Sequence, residues 1–369
     1  MDFSKNQLHE DIRQAVRDMM KPFDDEYWRK HEDNHEFPWE FYNAVAKAGW
    51  LGITIPTEYG GGGLGVTEAA IVEQEIAASG GGMNACSAVH IGIFGFEPII
   101  RHGSENLKRR FLPRVPSGDL HISFAITEPD AGTDTTNIKT FARKVPGGWR
   151  VSGNKVFISK AQQAERVLLL CRTTKREECA KRTDGMTVLF AEMDPNHVQI
   201  REIPKMGRNA VNTNELFIDD LFVSDEDVVG EVGKGFRVLL SGLNAERILS
   251  ASASLGIGRA AIRRATQYAK DRHVFGRPIG QNQAIAHPIA QALMRLDAAE
   301  LMVMKAAWLL DNGQPCGREA NMGKYLAADA AFYAADVALQ THGGFGYGRE
   351  FHVERYFREA RLQRIAPIS

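Results

Sequence analysis

The chain changes its apolar periodicity twice, and this double change constrains its fold more than any single motif. From Phe3 to about Gly118 apolar residues recur at helix spacing: Leu8, Ile12, Ala15, Val16 and Met19, then Phe41, Val45 and Ala48 ahead of Gly49. After Ser117-Gly118-Asp119 come short runs of β-branched and large apolar residues bounded by Gly, Pro, Asn and Asp. These predict strands at 122–126, 149–151, 155–159, 166–172, 187–193 and 215–223. From about Val232 the helical period returns in three long segments, 235–270, 282–312 and 318–340, with short breaks, as in an antiparallel bundle. The order predicts an α+β chain of three domains: helical over 1–119, compact β over 120–230 and helical over 231–369.

Within the first segment, helices are expected at 67–78 and 85–102 around Gly80-Gly81-Gly82, with His90 as a packing residue. The Pro- and Gly-rich stretch 55–65 reads as a loop, and it lacks the lysine and Ser/Thr of a P-loop. The charged stretch 173–184 reads as exposed. A formal net charge of -1 offers no footprint for nucleic acid. Cys86, Cys171, Cys179 and Cys316 form no CxxC pair, and neither they nor the eleven histidines fall at zinc spacing, so free thiols and no metal are expected. The N-terminal stretch mixes acids with bases, unlike a signal or transit peptide, and no consecutive apolar run is long enough for a bilayer. A cytoplasmic bacterial protein is the expectation.

Chemistry is most legible between Gly242 and Gln283, where Asn244-Ala245-Glu246-Arg247 precedes a run of Ala, Ser and Gly to Gly258. Small residues let other backbones approach this helix closely, which suits a bulky or flat ligand held nearby. By itself a Glu-Arg pair on a helix is usually solvated, so context decides. The context is five motifs: Ile55-Pro56-Thr57-Glu58-Tyr59-Gly60-Gly61, Phe124-Ala125-Ile126-Thr127-Glu128-Pro129-Asp130-Ala131-Gly132-Thr133-Asp134, Lys155-Val156-Phe157-Ile158-Ser159, Arg272-His273-Val274-Phe275-Gly276-Arg277 and Gln340-Thr341-His342-Gly343-Gly344. Taken singly, each fits an ordinary turn or strand. In this order they resemble the acyl-CoA dehydrogenase flavoprotein family over nearly the whole chain.

The resemblance implies a helical N-terminal domain, a central β-barrel-like domain and a C-terminal four-helix bundle, with FAD as cofactor. It implies that Phe124, Ala125, Thr127, Gly132 and Thr133, with Phe157 and Ser159 on a later strand, embrace the flavin ring. Phe157 and Ser159 stand where the family has Trp and Thr. Arg272, Phe275 and Gln283 match positions that hold the FAD phosphates and adenine across a subunit interface, and Gln340, Gly343 and Gly344 match the loop for the adenosine half. Ser369 is expected on the cofactor side. Thr133, Asn244 and Arg247 match contacts to the CoA thioester. Met83, Asn84, Ala88, Ile91 and Phe94 fall where the acyl chain ends, and Gly82-Met83-Asn84-Ala85 carries no arginine for a second carboxylate, which disfavours a dicarboxylic substrate.

The implied reaction is α,β-dehydrogenation of an acyl-CoA thioester, with a carboxylate taking the α-proton. Many family members carry that glutamate near the C-terminus, where this chain has Pro367. The isovaleryl-CoA and long-chain enzymes keep it in a Glu-Arg pair that Glu246-Arg247 matches, so Glu246 is the expected base. Pro367 also lacks the N–H that relatives offer the thioester oxygen. Glu58 and Glu128 are alternative acids, but they match no family base. The implied partners are an electron-transfer flavoprotein as acceptor and further copies of the chain, commonly a tetramer. Alternatives on the same fold are an acyl-CoA oxidase, a flavin monooxygenase and a DNA-binding flavoprotein relative without dehydrogenase activity. A purely structural helical protein is the remaining class.

Overall fold

The computed structural model describes residues 6–366, so Pro367 and Ser369 lie outside the described residues. The N-terminal third is helical: Gln7–Met20, Asp25–Asn34, Trp39–Lys47, Val66–Ile76 and Gly82–Phe94, then the short Glu97–His102 and Glu105–Phe111. The Val66–Ile76 helix takes its N-terminal cap from the far end of the chain. Asp311 accepts the N–H groups of Val66 and Thr67 at 2.7 and 2.9 Å, placing a negative charge at the positive end of the helix dipole. One stretch, Val66–His102, contains a window of mean hydropathy 1.2, long and apolar enough to cross a membrane by length and composition alone. That window is 83% buried inside the protein, and the backbone breaks at Gly80, where φ is 108°, so these are core helices.

The centre is one sheet of β1 Ile122–Ala125, β2 Phe141–Val145, β3 Gly148–Ser159, β4 Arg166–Arg172, β5 Met186–Glu192, β6 Val198–Glu202, β7 Thr213–Ser224 and β8 Val228–Val229. Its order is β6-β7-β3-β2-β4-β5-β8, with β1 parallel to β4. Strand β4 is apolar between its terminal Arg166 and Arg172 because both its faces are covered. Val167, Leu169 and Cys171 enter a core between the strands, while Leu168 and Leu170 face the helices. Strands β2 and β6 have no counterpart in the sequence reading, since charged residues fill their exposed positions. The single strand β3 replaces two expected ones. It runs through Ser152-Gly153-Asn154 because Gly153 packs against Thr140, whose Cα would stand 2.6 Å from an added Cβ.

The chain closes with helices Gly235–Asp271, Gln283–Asp311, Gly317–His342 and Val353–Gln363. The first has 37 residues and is about 55 Å long at the standard rise. From Ile248 to Gly258 it is buried on every side. An added Cβ on Gly256 would meet the Gln74 carbonyl oxygen at 2.3 Å, and one on Gly258 would meet Leu296 at 2.5 Å. The run of small residues therefore lets three helices close on a fourth. Helices from both ends of the chain share this core.

Candidate active site

Glu246 sits on the long helix just before the stretch that is buried all round. Among the described residues its carboxylate has neither a hydrogen bond nor an ion-pair partner. The residue is only partly accessible, and a group reached through a narrow cleft still loses most of its hydration. Burial raises its pKa above the ordinary carboxylate value, against the smaller pull of His90, Arg247 and Lys324. Arg247 donates to Asn244 Oδ1 at 3.1 Å, and its Nε is buried without a partner. Lys324 donates to the Gln363 carbonyl at 2.7 Å, and burial brings its pKa down to about 8.

Facing this group is His90, whose Nδ1 lies 3.2 Å from Oε1 of the fully buried Glu73. Burial lowers the His90 pKa, but Glu73 and then Glu246 outweigh it and raise the net value. The imidazole meets Phe94 at a tilt, with ring centroids 4.7 Å apart, and Phe94 meets Phe124 edge-on at 5.7 Å. His90 is thus partnered with Glu73 as well as packed against Phe94. Asn84 is committed elsewhere, donating to Glu359 at 2.8 Å and accepting from Ala210 N at 3.0 Å.

The alternative acids behave differently. Glu58 is exposed on a single 3-10 turn. Glu128 is buried and fully engaged: it takes the N–H groups of Lys139 and Thr140 at 2.6 and 3.0 Å, and Lys155 Nζ at 2.9 Å. Its desolvation is outweighed by Lys155 and these donors, so its pKa falls. Lys155 also holds the Ile126 carbonyl at 2.8 Å, which locks the turn carrying Thr127. The lysine stands in one of the five motifs, yet periodicity gives no sign of this role.

Thr127, Phe157 and Ser159 come together where β1 meets β3, joined by the Val156 N–H to Thr127 carbonyl bond at 3.0 Å. Ile158 points into the β core between Phe157, which sits at an irregularity of β3, and the half-buried Ser159. The Phe157 ring is 65% exposed at φ 61°, a left-handed conformation that a phenylalanine holds only where its surroundings demand it. Phe124 is half-buried beside this corner, whereas the Ala125 side chain is sealed in the β core, leaving only its main chain for a ligand. Gly132 and Thr133 lie on the exposed loop beyond the Glu128–Ala131 bridge, with open space around Gly132. An uncovered aromatic wall, a neighbouring hydroxyl and a rigid turn fit a flat heteroaromatic ring.

The remaining candidates form a second cluster. Phe275 is 100% exposed at φ 53°, in the two-residue turn between His273–Val274 and Arg277–Pro278. Arg272 lies over the Phe345 ring at 5.9 Å, beside Gly343 and Gly344, which have open space around them. Gln283 and Gln340 are exposed at the ends of their helices. Among the described residues no hydrogen bond or ring contact joins this cluster to Thr127, Phe157 or Ser159. A polar hollow of about 390 Å³ between Glu32 and Arg358 is separate from Glu246.

The sequence reading missed Arg208. Its backbone is left-handed, with φ 63°, and both following residues are pinned: Asn209 N donates to Glu32 at 2.7 Å and Ala210 N to Asn84. The guanidinium donates to Ser87 and Ser159 hydroxyls at 3.2 Å each, and also to Thr213. No periodic signal marks such a residue, because a loop delivers it from a distant part of the chain.

Three family models match in order: acyl-CoA dehydrogenase N-terminal domain over 6–119, middle domain over 123–221 and C-terminal domain over 233–367. The acyl-CoA dehydrogenase FadE12 of Mycobacterium tuberculosis is 37% identical over 370 residues, spanning 100% of this chain and 94% of the relative. The butyryl-CoA dehydrogenase structure from Megasphaera elsdenii superposes with TM-score 0.94 at 28% identity, covering 100% of this chain and 96% of the other. A glutaryl-CoA complex of glutaryl-coenzyme A dehydrogenase gives TM-score 0.93 at 29% identity over 99% of this chain and 93% of the other.

Proposed function

The chain belongs to the acyl-CoA dehydrogenase family of FAD-dependent oxidoreductases acting on CH–CH bonds, and on that premise we propose that Glu246 is its catalytic base. The supporting observation is that Glu246 is the desolvated, unpaired carboxylate among the three candidates. Glu128 is neutralised by Lys155, and Glu58 is in water. Lifting the pKa brings a glutamate closer to the strength needed to take an α-proton from a thioester. When bound, FAD supplies the acceptor, at its N5, for the hydride that leaves the β-carbon. Asn244 and Arg247 orient the thioester beside Glu246, and His90 and Lys324 temper the charge of the carboxylate.

Thr127, Phe157 and Ser159 hold the flavin ring: Phe157 as its wall, Ser159 and Thr127 as hydrogen-bonding groups on its polar edge. Arg272, Phe275, Gln283, Gln340, Gly343 and Gly344 hold the adenosine half of a cofactor bound to a neighbouring copy. This reading accounts for two groups of residues that no hydrogen bond or ring contact joins among the described residues, and for a fully exposed phenylalanine on a hairpin. Exposed Leu293, Met294, Leu301 and Trp308 along one helix give an apolar face for assembly, consistent with a tetramer. An electron-transfer flavoprotein is the acceptor we assign. The test is anaerobic addition of acyl-CoA thioesters to the yellow holoprotein. Flavin colour should be lost in the wild type and kept in Glu246→Gln with its FAD still bound. Full bleaching of that variant would sink the assignment of the base.

A further inference from the structure

We infer that Arg208 is a positioning residue for the flavin: through the hydroxyl of Ser159 it orders the polar edge of the ring and biases the cofactor toward its reduced form. The inference rests on the reading that Ser159 lies against the flavin, and it names the group that stands behind that hydroxyl. Arg208 Nη1 donates to Ser159 Oγ and to Ser87 Oγ at 3.2 Å each, and Nη2 donates to Thr213. A guanidinium can only donate, so the Ser159 hydroxyl accepts here and its own hydrogen points elsewhere. Among the described residues that hydrogen has no acceptor. The hydroxyl is thus held at its oxygen and left with one donor for a ligand. Serine lacks the β-branch that stiffens threonine, so the arginine supplies the anchor that the side chain does not have of itself. The backbone is fixed as well, because the Ser159 carbonyl takes Ser123 Oγ at 3.1 Å.

Charge adds to orientation. No carboxylate among the described residues lies within ion-pair distance of Arg208, and its Nε is buried with no partner. Glu32 and Glu359, the acids whose charge reaches it, are engaged by other groups: Glu32 by Arg358 at 2.6 Å and Asn209 N at 2.7 Å, Glu359 by Met83 N at 2.5 Å and Asn84 at 2.8 Å. Burial lowers the Arg208 pKa to about 10, so the group stays charged at neutral pH. Lys160, the residue after Ser159, is committed to the Ala88 carbonyl at 3.1 Å and the Tyr42 ring at 4.6 Å. Arg208 is therefore the cation left one hydroxyl away from the ring edge. Dehydrogenation sends the α-proton to Glu246 and a hydride, with its electron pair, to a neutral ring, which then carries one negative charge. A fixed cation stabilises that charge and does little for the neutral ring. Nothing has to reorganise at that moment, because the left-handed backbone of Arg208 is set by the pinned N–H groups of Asn209 and Ala210.

The experiment measures the two-electron potential of the bound FAD by reductive titration of the holoprotein against a reference dye, with no thioester present. In Arg208→Gln the ratio of reduced to oxidised flavin at a fixed dye poise should fall at least tenfold, a shift of about 30 mV to more negative potential. Arg208→Lys, which keeps the charge without the fork, should recover part of that loss. Ser159→Ala should shift the potential in the same direction, and the double variant should shift it by less than the sum, since one group acts through the other. An unmoved potential in Arg208→Gln with FAD bound would overturn the inference, even with a lower melting temperature, and would leave the arginine an anchor for its loop. Should Arg208→Gln lose its cofactor, Arg208→Lys is read against the wild type instead: a more negative potential supports the inference and an unmoved one overturns it. A yellow wild type that no thioester bleaches would sink the dehydrogenase reading alone, with the potential of Arg208→Gln still deciding the inference.

Discussion

Glu128 and Glu246 are both enclosed by protein, yet their surroundings treat them in opposite ways. Glu128 has two backbone donors and the ammonium of Lys155, so its charged form is the stable one and its corner is rigid. Glu246 has burial without a direct partner, so its charged form is disfavoured and stays reactive. The difference teaches how a fold separates support from chemistry: donors in contact make a carboxylate inert, and cations kept at a distance leave it basic.

The comparison breaks first at Glu246. Glu246→Gln should lower turnover by roughly 10²–10⁴-fold, the usual contribution of a general base, while the melting temperature changes little. Stopped-flow reduction and a thermal melt on the same sample check both halves. Lys155→Met should do the reverse. Leaving Glu128 buried without its cation should cost about 3–5 kcal/mol of stability, read by urea denaturation. A loss under 1 kcal/mol would mean that the backbone donors suffice. Removing the fork in Arg272→Ala should weaken FAD retention by roughly ten- to a hundredfold, the worth of a charged hydrogen bond or two, without altering the melt of the apoprotein.

The smallest effect is in pH. The pKa of Glu246 is raised on folding, so its contribution to stability is full below the unfolded value and is lost as pH rises through the folded one. Glu128 is depressed, so its contribution is present above the unfolded value and is lost as pH falls through the folded one. The melting temperature of Glu246→Gln relative to wild type should therefore climb as pH rises above the ordinary carboxylate range. A flat difference would deny Glu246 its raised pKa.

Much of the architecture was legible because it depends on local pattern. Strand β4 was read at its observed bounds, and the three long C-terminal helices to within a few residues, since burial on one or both faces dictates their composition. Strands β2 and β6 were not, because Arg143, Lys144, Gln199 and Arg201 dilute their apolar signal and only neighbouring strands make them regular. The site divides in the same way. Glu246, Asn244 and Arg247 lie within one helical turn and were found together. Arg208, Lys155 and the Glu73–His90 pair act through contacts between distant segments, and nothing in residue spacing reveals which loop will meet which helix.

Phe275 carries a last consequence. An aromatic ring standing wholly in water on a hairpin is a poor outcome for an isolated chain, and under the assembly proposed above it plugs a neighbour. Cofactor occupancy should then follow the law of mass action for the protein itself: a dilute solution sheds its yellow colour, and a concentrated one keeps it.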